Sequence, residues 1–203
     1  MPEATFWKLC GSGTDEGFTP IPNTAVWAIL VAWPDEATAR RMTSDAPVFG
    51  RWRARAAEDW TVFLAPASSR GEWSGVEPFE PDGPEPLGPI AVLTRATVRP
   101  TVVPRFWGRA PAIQDVIRDD PNVAFKIGIG EVPWFQQVTF SIWPDMPSMT
   151  RFAHAPGPHA DAIRAVRDGG WFREELYARF RVLGGTGTWE GASPLAQFEK
   201  EAA

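Results

Sequence analysis

The triplet Trp-Pro-Asp occurs twice in this chain of 203 residues, at 33–35 and at 143–145. Each copy ends a strand-like apolar stretch, VWAILVAW at 26–33 and QQVTFSIW at 136–143. Landmarks that recur in the same order along a chain are typical of a duplicated structural unit. The sequence therefore predicts two related halves.

The segments around the two triplets also match in pairs. Each half has a strand-like stretch before the triplet, two helix-like stretches after it, a second strand, and a turn that contains tryptophan. In the first half these segments are 5–13, 36–42, 49–60, 60–65 and 70–75; in the second they are 124–131, 146–152, 159–171, 178–183 and 186–191.

The second half begins with two further elements that the first half lacks. Residues 89–100 alternate β-branched and other side chains as a strand does, and residues 106–120 have helical periodicity. The resulting order, β-α-β-β-α-β, is ferredoxin-like. We therefore expect an α+β fold in which two fused ferredoxin-like repeats form a dimeric α+β barrel, the first repeat lacking its leading strand and helix.

This interpretation divides the chain into four parts. They are a truncated first repeat at 1–75, a proline-rich linker at 76–88, a complete second repeat at 89–191 and a tail at 192–203. A truncated sheet leaves an open edge, which a partner or the tail has to cover. We therefore consider a homo-oligomer that covers this edge.

Charge and cysteine content exclude several classes of protein. The net charge is −5 and no basic stripe is visible, which argues against a nucleic-acid or anionic-membrane surface. No apolar run is long enough for a transmembrane helix, and the first residues lack the pattern of a signal peptide. Cys10 is the only cysteine, which excludes an intramolecular disulfide and a cysteine-based zinc site. The expected compartment is the cytoplasm.

Aromatic residues are unusually abundant. Eleven tryptophans and thirteen phenylalanines accompany a single tyrosine. A large aromatic core explains this composition, and so does a flat apolar cavity for a planar or polyene ligand. Composition alone leaves both explanations open.

The two histidines of the chain lie close together in FAHAPGPHADAIRAVR, at 152–167. His154 falls in a connector and is expected to be exposed. When the two halves are aligned on their Trp-Pro-Asp triplets, His159 stands opposite Phe49. A helix that begins near Pro158 places His159 on a core-facing stripe with Ala162, Ile163 and Val166.

A histidine in such a position has two explanations. It is either a core residue that hydrogen-bonds a backbone carbonyl or a cofactor ligand. Zinc requires three or four protein ligands, which the chain does not offer. Haem requires only one proximal histidine and a large apolar pocket.

Four long stretches of the sequence resemble the spheroidene monooxygenase family. They are FWKLCGSGTDEGFTPIPNTAVWAIL, GPIAVLTRATVRP, FKIGIGEVPWFQQVTFSIWPD and GPHADAIRAVRDGGWFREELYARFRVL. The resemblance covers roughly residues 5–191. It implies a monooxygenase that binds haem b and uses dioxygen and a reduced ferredoxin-type electron donor. It also implies an apolar substrate, an acyclic carotenoid whose methylene group beside the conjugated chain is hydroxylated and then oxidised to a ketone.

The resemblance also gives His159 a role, that of the axial ligand of the haem iron. The family motif further matches this sequence at Ile163, Arg164, Arg167 and Trp171. We expect Ile163 to contact the cofactor and the two arginines to pair with the haem propionates. A solvated helix face is the more common reason for arginines at such positions.

Candidates for the opposite, distal side of the pocket come from two strands. Their polar side chains alternate with apolar ones, and they are Lys126, Gln137, Thr139 and Ser141. Such a row either faces solvent or donates hydrogen bonds to bound oxygen and substrate. Two other functions stay open: a haem-dependent lyase or dehydratase on the same barrel, and a non-catalytic carrier of haem or a hydrophobic ligand.

Overall fold

A computed structural model describes residues 3–85, 87–108, 120–155 and 158–201. The side chains of 158–160, 162, 163, 167 and 199–201 lie outside this description. The described ranges contain seven strands: β1 (Phe6–Gly13), β2 (Pro22–Ala32), β3 (Trp60–Gly71), β4 (Ile90–Val98), β5 (Phe125–Gly130), β6 (Gln136–Trp143) and β7 (Phe172–Gly187). The helices in the described ranges are α1 (Glu36–Asp45), α2 (Pro47–Arg53), α3 (Val103–Trp107), α4 (Met146–His154), α5 (Pro158–Gly169) and α6 (Ala196–Glu201), and a 3₁₀ turn (Pro100–Val102) precedes α3.

The strands form one antiparallel sheet in the order β2-β1-β5-β6-β4-β7-β3. Within it, β4 to β7 have the strand order of a ferredoxin-like unit. The hairpin of β1 and β2 adds to this unit through β5, and β3 adds to it through β7. The fold is therefore α+β with a ferredoxin-like sheet, as predicted.

The sheet curls around an apolar interior. Alternate residues of all seven strands contribute to a single core cluster, in which Leu93, Ile142 and Leu176 are almost fully buried. Aromatic rings fill much of the space, and Phe125 packs 4.6 Å from Trp60 and 6.2 Å from Phe140 between ring centroids. The large aromatic core proposed from composition is therefore present.

The opposite, outer face of the sheet is covered partly by α4. Met149 packs against Ile90 and Trp143 in a second, smaller apolar cluster, and the ring of Phe152 lies 4.9 Å from that of Trp143. The helix α5 contacts α4 and leads into β7. We use the term outer face below for the side of the sheet on which α4 packs.

The two Trp-Pro-Asp triplets end in the same local structure. Asp35 accepts a hydrogen bond from the backbone N–H of Thr38 at 2.7 Å, and Asp145 accepts one from Ser148 at 2.7 Å. Each carboxylate is therefore the N-cap of the helix that follows. These hydrogen bonds lower the pKa of each carboxyl group, because they favour its charged form.

Several predicted elements have different bounds in the structure; the strand expected at 60–65, for example, extends to Gly71. The helix expected at 49–60 ends at Arg53, and Glu58 beyond it accepts hydrogen bonds from Thr188 and from the backbone N–H of Gly191. The last strand is much longer than 178–183 and runs along both β4 and β3. His154 is exposed as expected, but it is the last residue of α4 rather than part of a connector.

The linker and the tail both contact the core. Phe79 of the linker is buried, with its ring 5.0 Å from that of Phe180. In the tail, Leu195 is buried in the main cluster and Phe198 packs against it. The helix predicted at 106–120 overlaps α3 at its start, and residues 109–119 lie outside the described ranges. The internal duplication and the four-part division remain predictions.

Candidate functional site

Small residues form a continuous strip across the outer face of the sheet. Gly128 of β5 is paired with Thr139 of β6, which is paired with Thr94 of β4. Ala96 lies two residues further along β4 on the same face, beside Gln137. Thr94, Thr139 and Gln137 are only half-buried. We call Thr94, Ala96 and Thr139, with Gln137 at their edge, the small-residue floor; Gly128 is not part of it, because the backbone of Gly17 covers it.

The four distal candidates lie on this face, but they differ in their contacts. Lys126 is paired across the strands with Ser141, and its Nζ lies 3.4 Å from a carboxylate oxygen of Glu16. The hydroxyl of Ser141 is buried and accepts a hydrogen bond from the indole of Trp143 at 2.9 Å. Both side chains therefore have structural partners. Gln137 and Thr139 belong to the floor itself.

Gln137 also borders a cavity of about 240 Å³. Trp27, Trp134, Gln136 and Gln137 are among the residues that line it. The turn after β1 closes one side, where Gly17, at φ 89°, passes so close to the carbonyl of Gly128 that a Cβ would clash. The cavity combines apolar walls with a few polar groups, as ligand sites commonly do.

The remaining site predictions fall on α5. His159 is the second residue of this helix, and the side chains of His159, Ile163 and Arg167 lie outside the described part of the chain. Arg164 is described; it is exposed and its guanidinium contacts the carboxylate of Asp161. Trp171, next to the end of α5, is buried, and its backbone carbonyl accepts a hydrogen bond from Arg99.

The interior of the sheet contains charged side chains that the sequence did not predict. The Nζ of Lys8 lies 2.9 Å from Glu131 and donates to the hydroxyl of Ser74 at 2.6 Å. The indole N–H of Trp73 donates to the second oxygen of Glu131 at 2.6 Å. Because Trp73 is completely buried, this indole needs such an acceptor.

A second ion pair lies beside the first. The guanidinium of Arg95, whose side chain is only 1% exposed, contacts the carboxylate of Glu174, and it lies 5.7 Å from the ring of Trp73. Burial alone raises the pKa of Glu174, but hydrogen bonds from the backbone of Gly75 and Ser74 and the charge of Arg95 outweigh it and lower the pKa. We call Lys8, Glu131, Arg95, Glu174 and Trp73 the interior charge cluster.

The interior charge cluster connects distant parts of the chain. Lys8 belongs to β1 and Glu131 follows β5, whereas Arg95 belongs to β4 and Glu174 to β7. Each cation has a carboxylate partner, so the cluster brings no net charge to the interior. We interpret it as structural. A sequence signal for part of it exists, since Lys8 occupies an inward position between Phe6 and Cys10 in β1.

Potential metal ligands do not converge in the part of the chain that the structure describes. Among these residues, no group of three histidine, cysteine, aspartate or glutamate side chains is placed to hold a metal ion. Among the described helices, none is long and apolar enough to cross a membrane.

Comparison with curated proteins shows extensive similarity along the chain. Spheroidene monooxygenase of Rhodobacter capsulatus is 54% identical over 207 residues, which is all of this chain and 86% of that protein. The chain belongs to the spheroidene monooxygenase family. The proteins of the same name from Cereibacter sphaeroides and Rubrivivax gelatinosus are 56% and 35% identical over 97% and 94% of this chain.

The relatives in the spheroidene monooxygenase family are longer than this chain. The chain spans 61% of the Cereibacter sphaeroides protein and 73% of the Rubrivivax gelatinosus protein. No family model matches the sequence.

Solved structures resemble the chain more distantly. A protein described as a monooxygenase from Fusobacterium nucleatum is 12% identical, with a TM-score of 0.46 over 90% of this chain and 77% of that one. The haem-degrading enzyme of Listeria monocytogenes is also 12% identical, with a TM-score of 0.41 over 70% of this chain and 93% of that one. Similarities this low carry no argument about function.

The only cysteine of this family member is expected to be chemically inert while the protein is folded. Cys10 is 1% exposed, and burial followed by the charge of Glu131 raises the pKa of its thiol to about 12. Since the thiolate is the reactive form, iodoacetamide at about pH 8 should leave the native protein unmodified and alkylate it once urea unfolds it. Mass spectrometry measures both.

A variant with an accessible thiol is the control for the reagent. Leu87→Cys in a Cys10→Ala background places the thiol at a fully exposed position, where it should be alkylated rapidly in the folded protein. Alkylation of native Cys10 at a comparable rate would show that this part of the interior opens readily.

Proposed function

We propose that this protein is a haem-dependent monooxygenase that inserts oxygen into an activated C–H bond of an apolar substrate of the carotenoid type. Membership in the spheroidene monooxygenase family is the observation that carries this proposal. The relatives are named for oxygenation of spheroidene, which supplies the substrate class. A reduced, ferredoxin-type electron donor completes the reaction with dioxygen.

The residues present fit haem b on the outer face of the sheet. The donor set suits it, because haem needs one axial histidine and His159 lies at the start of α5. The small-residue floor supports the same location. Alanine and threonine side chains on the paired strands β4 and β6 leave a flat surface there, whereas the inner face is filled with phenylalanine and isoleucine.

When bound, haem would activate dioxygen, and the chain would bind, orient and shield the reacting groups. His159 is proposed as the axial ligand and Ile163 as an apolar contact of the macrocycle. The ion pair of Arg164 with Asp161 is exposed and therefore weak, so little stability is lost if Arg164 pairs with a propionate instead. Arg167 is proposed for the same role.

The floor gives the distal side its polar groups. The hydroxyl of Thr139 and the amide of Gln137 would donate hydrogen bonds to dioxygen or substrate in the pocket, because both side chains are half-buried on this face. Lys126 pairs with Glu16, and Ser141 accepts a hydrogen bond from Trp143. Because of these contacts, we propose that Lys126 and Ser141 position Glu16 and Trp143 and do not contact the substrate directly. The cavity beside Gln137, with its two indoles, is the proposed entrance for an apolar molecule.

The fold that carries this site is proposed to be a duplication. Asp35 and Asp145 cap equivalent helices, and Trp73 and Trp189 each begin a turn closed by the same kind of β-bridge, to Val76 and Ala192. These matches support two ferredoxin-like repeats within one barrel. Only the second repeat would carry the axial histidine, because Phe49 occupies the matching place in the first.

An absorption spectrum tests the haem proposal. Protein produced with added haem precursor is expected to show a Soret band, which His159→Ala should lose because the iron has no axial ligand. His154→Ala is the matched control and should keep the band, because His154 is exposed at the end of α4. A native spectrum in both variants would exclude His159 as the ligand.

Turnover separates the monooxygenase from the other two functions. Conversion of an acyclic carotenoid should require both dioxygen and a reductant, with labelled oxygen appearing in the product. Turnover without dioxygen would indicate a lyase or dehydratase. Haem binding without any turnover would indicate a carrier.

A further inference from the structure

The turn between β5 and β6 presents an unbroken run of exposed apolar side chains. It reads VPWF at 132–135, and all four residues are exposed. The exposed fractions are 45% for Val132, 45% for Trp134 and 38% for Phe135. No charged residue occurs in the sequence from 132 to 144. A contiguous exposed apolar patch of this kind indicates a surface that contacts something outside the chain.

The backbone of this turn is held in place by several hydrogen bonds. The indole N–H of Trp107 in α3 donates to the backbone carbonyl of Trp134 at 3.0 Å, and the two ring centroids are 6.1 Å apart. The backbone N–H of Val98 donates to the carbonyl of Phe135 at 2.7 Å. The apolar side chains are therefore presented on a fixed backbone.

Trp134 has an unfavourable backbone conformation. Its φ of 72° lies in the left-handed region, which costs energy for a bulky side chain and which glycine or asparagine adopts more easily. Burial within the chain offsets little of this cost, because the side chain stays nearly half exposed. Burial of the indole against a surface outside the chain would offset it.

A second exposed apolar turn lines the same cavity. Pro133 and Trp134 line the cavity of about 240 Å³, and so do Pro20 and Pro22 of the turn between β1 and β2. Ile21 is 62% exposed, and no charged residue occurs from 17 to 34. We call residues 20–22 and 132–135 the apolar turns. The proposed entrance for an apolar molecule is thus lined by two segments that expose apolar side chains and carry no charge.

We propose that the apolar turns insert into the surface of an uncharged lipid bilayer, and that the cavity between them receives its substrate from the acyl chains. This inference rests on the proposed function, because a substrate of the carotenoid type dissolves in a bilayer and not in water. An indole such as that of Trp134 suits the boundary between headgroups and acyl chains. Apolar segments of peripheral proteins reach about 5–10 Å into this boundary.

Charge and size identify a lipid surface as the occupant. Anionic lipids attract clusters of lysine and arginine, and the apolar turns contain neither. The exposed Asp15 and Glu16, which precede the first of them, would repel an anionic surface. The apolar turns comprise only three and four residues, whereas a stable protein–protein interface uses roughly 20–30 residues on each side. An uncharged bilayer therefore fits them better than an anionic one or a second copy of the chain.

Flotation with phosphatidylcholine vesicles tests the lipid contact on the 203-residue chain. The chain is expected to float with the vesicles, to the same extent in about 0.1 M and about 0.5 M salt, because salt does not screen apolar contacts. Addition of phosphatidylglycerol to the vesicles should not increase the bound fraction. The measurement uses neither haem nor carotenoid, so its outcome is independent of the spectrum and of turnover.

Trp134→Asn separates lipid contact from a purely structural role. Asparagine tolerates the left-handed conformation, so the urea midpoint of the variant should not fall, whereas its partition into vesicles should weaken about ten-fold. A structural role for the indole would lower the urea midpoint. Leu87→Ser is the matched control, because it removes a fully exposed apolar side chain outside the apolar turns, and it should float as the unmodified chain does.

Four results would overturn the lipid proposal. They are absence of flotation with phosphatidylcholine, flotation that requires phosphatidylglycerol and is lost in salt, equal flotation of Trp134→Asn, and a dimer of the free chain that Trp134→Asn dissociates. The last result would assign the apolar turns to a second copy. Flotation of a chain that takes up no haem would support the lipid contact and contradict the proposed function instead.

Discussion

Glu174→Ala is expected to destabilise the protein by roughly 3–5 kcal/mol, because it leaves a buried guanidinium without its carboxylate. The side chain of Arg95 is 1% exposed, and its Nε already lacks a hydrogen-bond partner among the described residues. Removal of Glu174 also takes the acceptor from the backbone N–H of Gly75. Urea denaturation measures the free energy of unfolding.

The double variant Arg95→Met, Glu174→Leu is the control for this prediction. It removes both charges and keeps apolar volume, so its cost should be much smaller than that of Glu174→Ala. A loss below about 1 kcal/mol in Glu174→Ala, as found for surface ion pairs, would show that water reaches Arg95.

The same pair makes a contribution that depends on pH. The pKa of Glu174 is lower in the folded protein than its ordinary value of 4.5. The stabilisation by the Arg95–Glu174 pair is therefore fully present at a pH above the ordinary pKa of glutamate, and it is lost as the pH falls through the lowered pKa of Glu174. The difference in unfolding free energy between the unmodified protein and Glu174→Gln should shrink across this acidic range.

Trp73→Ala is the second substitution with a large expected effect, also about 3–5 kcal/mol. The indole is completely buried, and its ring centroid lies 5.6 Å from that of Phe6. Its N–H is one of two donors to Glu131, so the substitution both creates a cavity and leaves that carboxylate with Lys8 as its remaining partner. Thermal and urea denaturation measure the loss.

The other tryptophan turn provides a matched comparison. Trp189 closes the same kind of bridge as Trp73, but it is only half-buried and its ring packs 5.4 Å from Phe125 at the edge of the core. Trp189→Ala should therefore cost clearly less. Equal losses in the two variants would mean that the bridge, rather than burial and the bond to Glu131, accounts for the effect.

The strands of this fold were predictable because each carries its own alternation. The bounds of β6 match the predicted 136–143, and the predicted strand at 5–13 differs from β1 by one residue. The shared face of Lys126, Gln137, Thr139 and Ser141 followed from the same local pattern. The contacts of Lys126 with Glu16 and of Ser141 with Trp143 did not, because they depend on the course of a turn and on one side-chain rotamer.

The interior charge cluster was not predictable for a different reason. Lys8 meets Glu131 only because β1 pairs with β5, and Arg95 meets Glu174 only because β4 pairs with β7. Neither pairing leaves a local signal in the sequence. Charged residues at inward positions of apolar strands indicate that partners exist, but not where in the chain they lie.

The strand order also determines when the protein can fold during synthesis. β1 ends at Gly13, yet one of its neighbours, β5, begins only at Phe125; β3 ends at Gly71, yet its neighbour β7 ends only at Gly187. Such distant pairings make the average contact order high, and chains of this kind fold slowly. The edges of β1 and β3 that these later strands cover are therefore exposed on the growing chain until β5 and β7 have been synthesised.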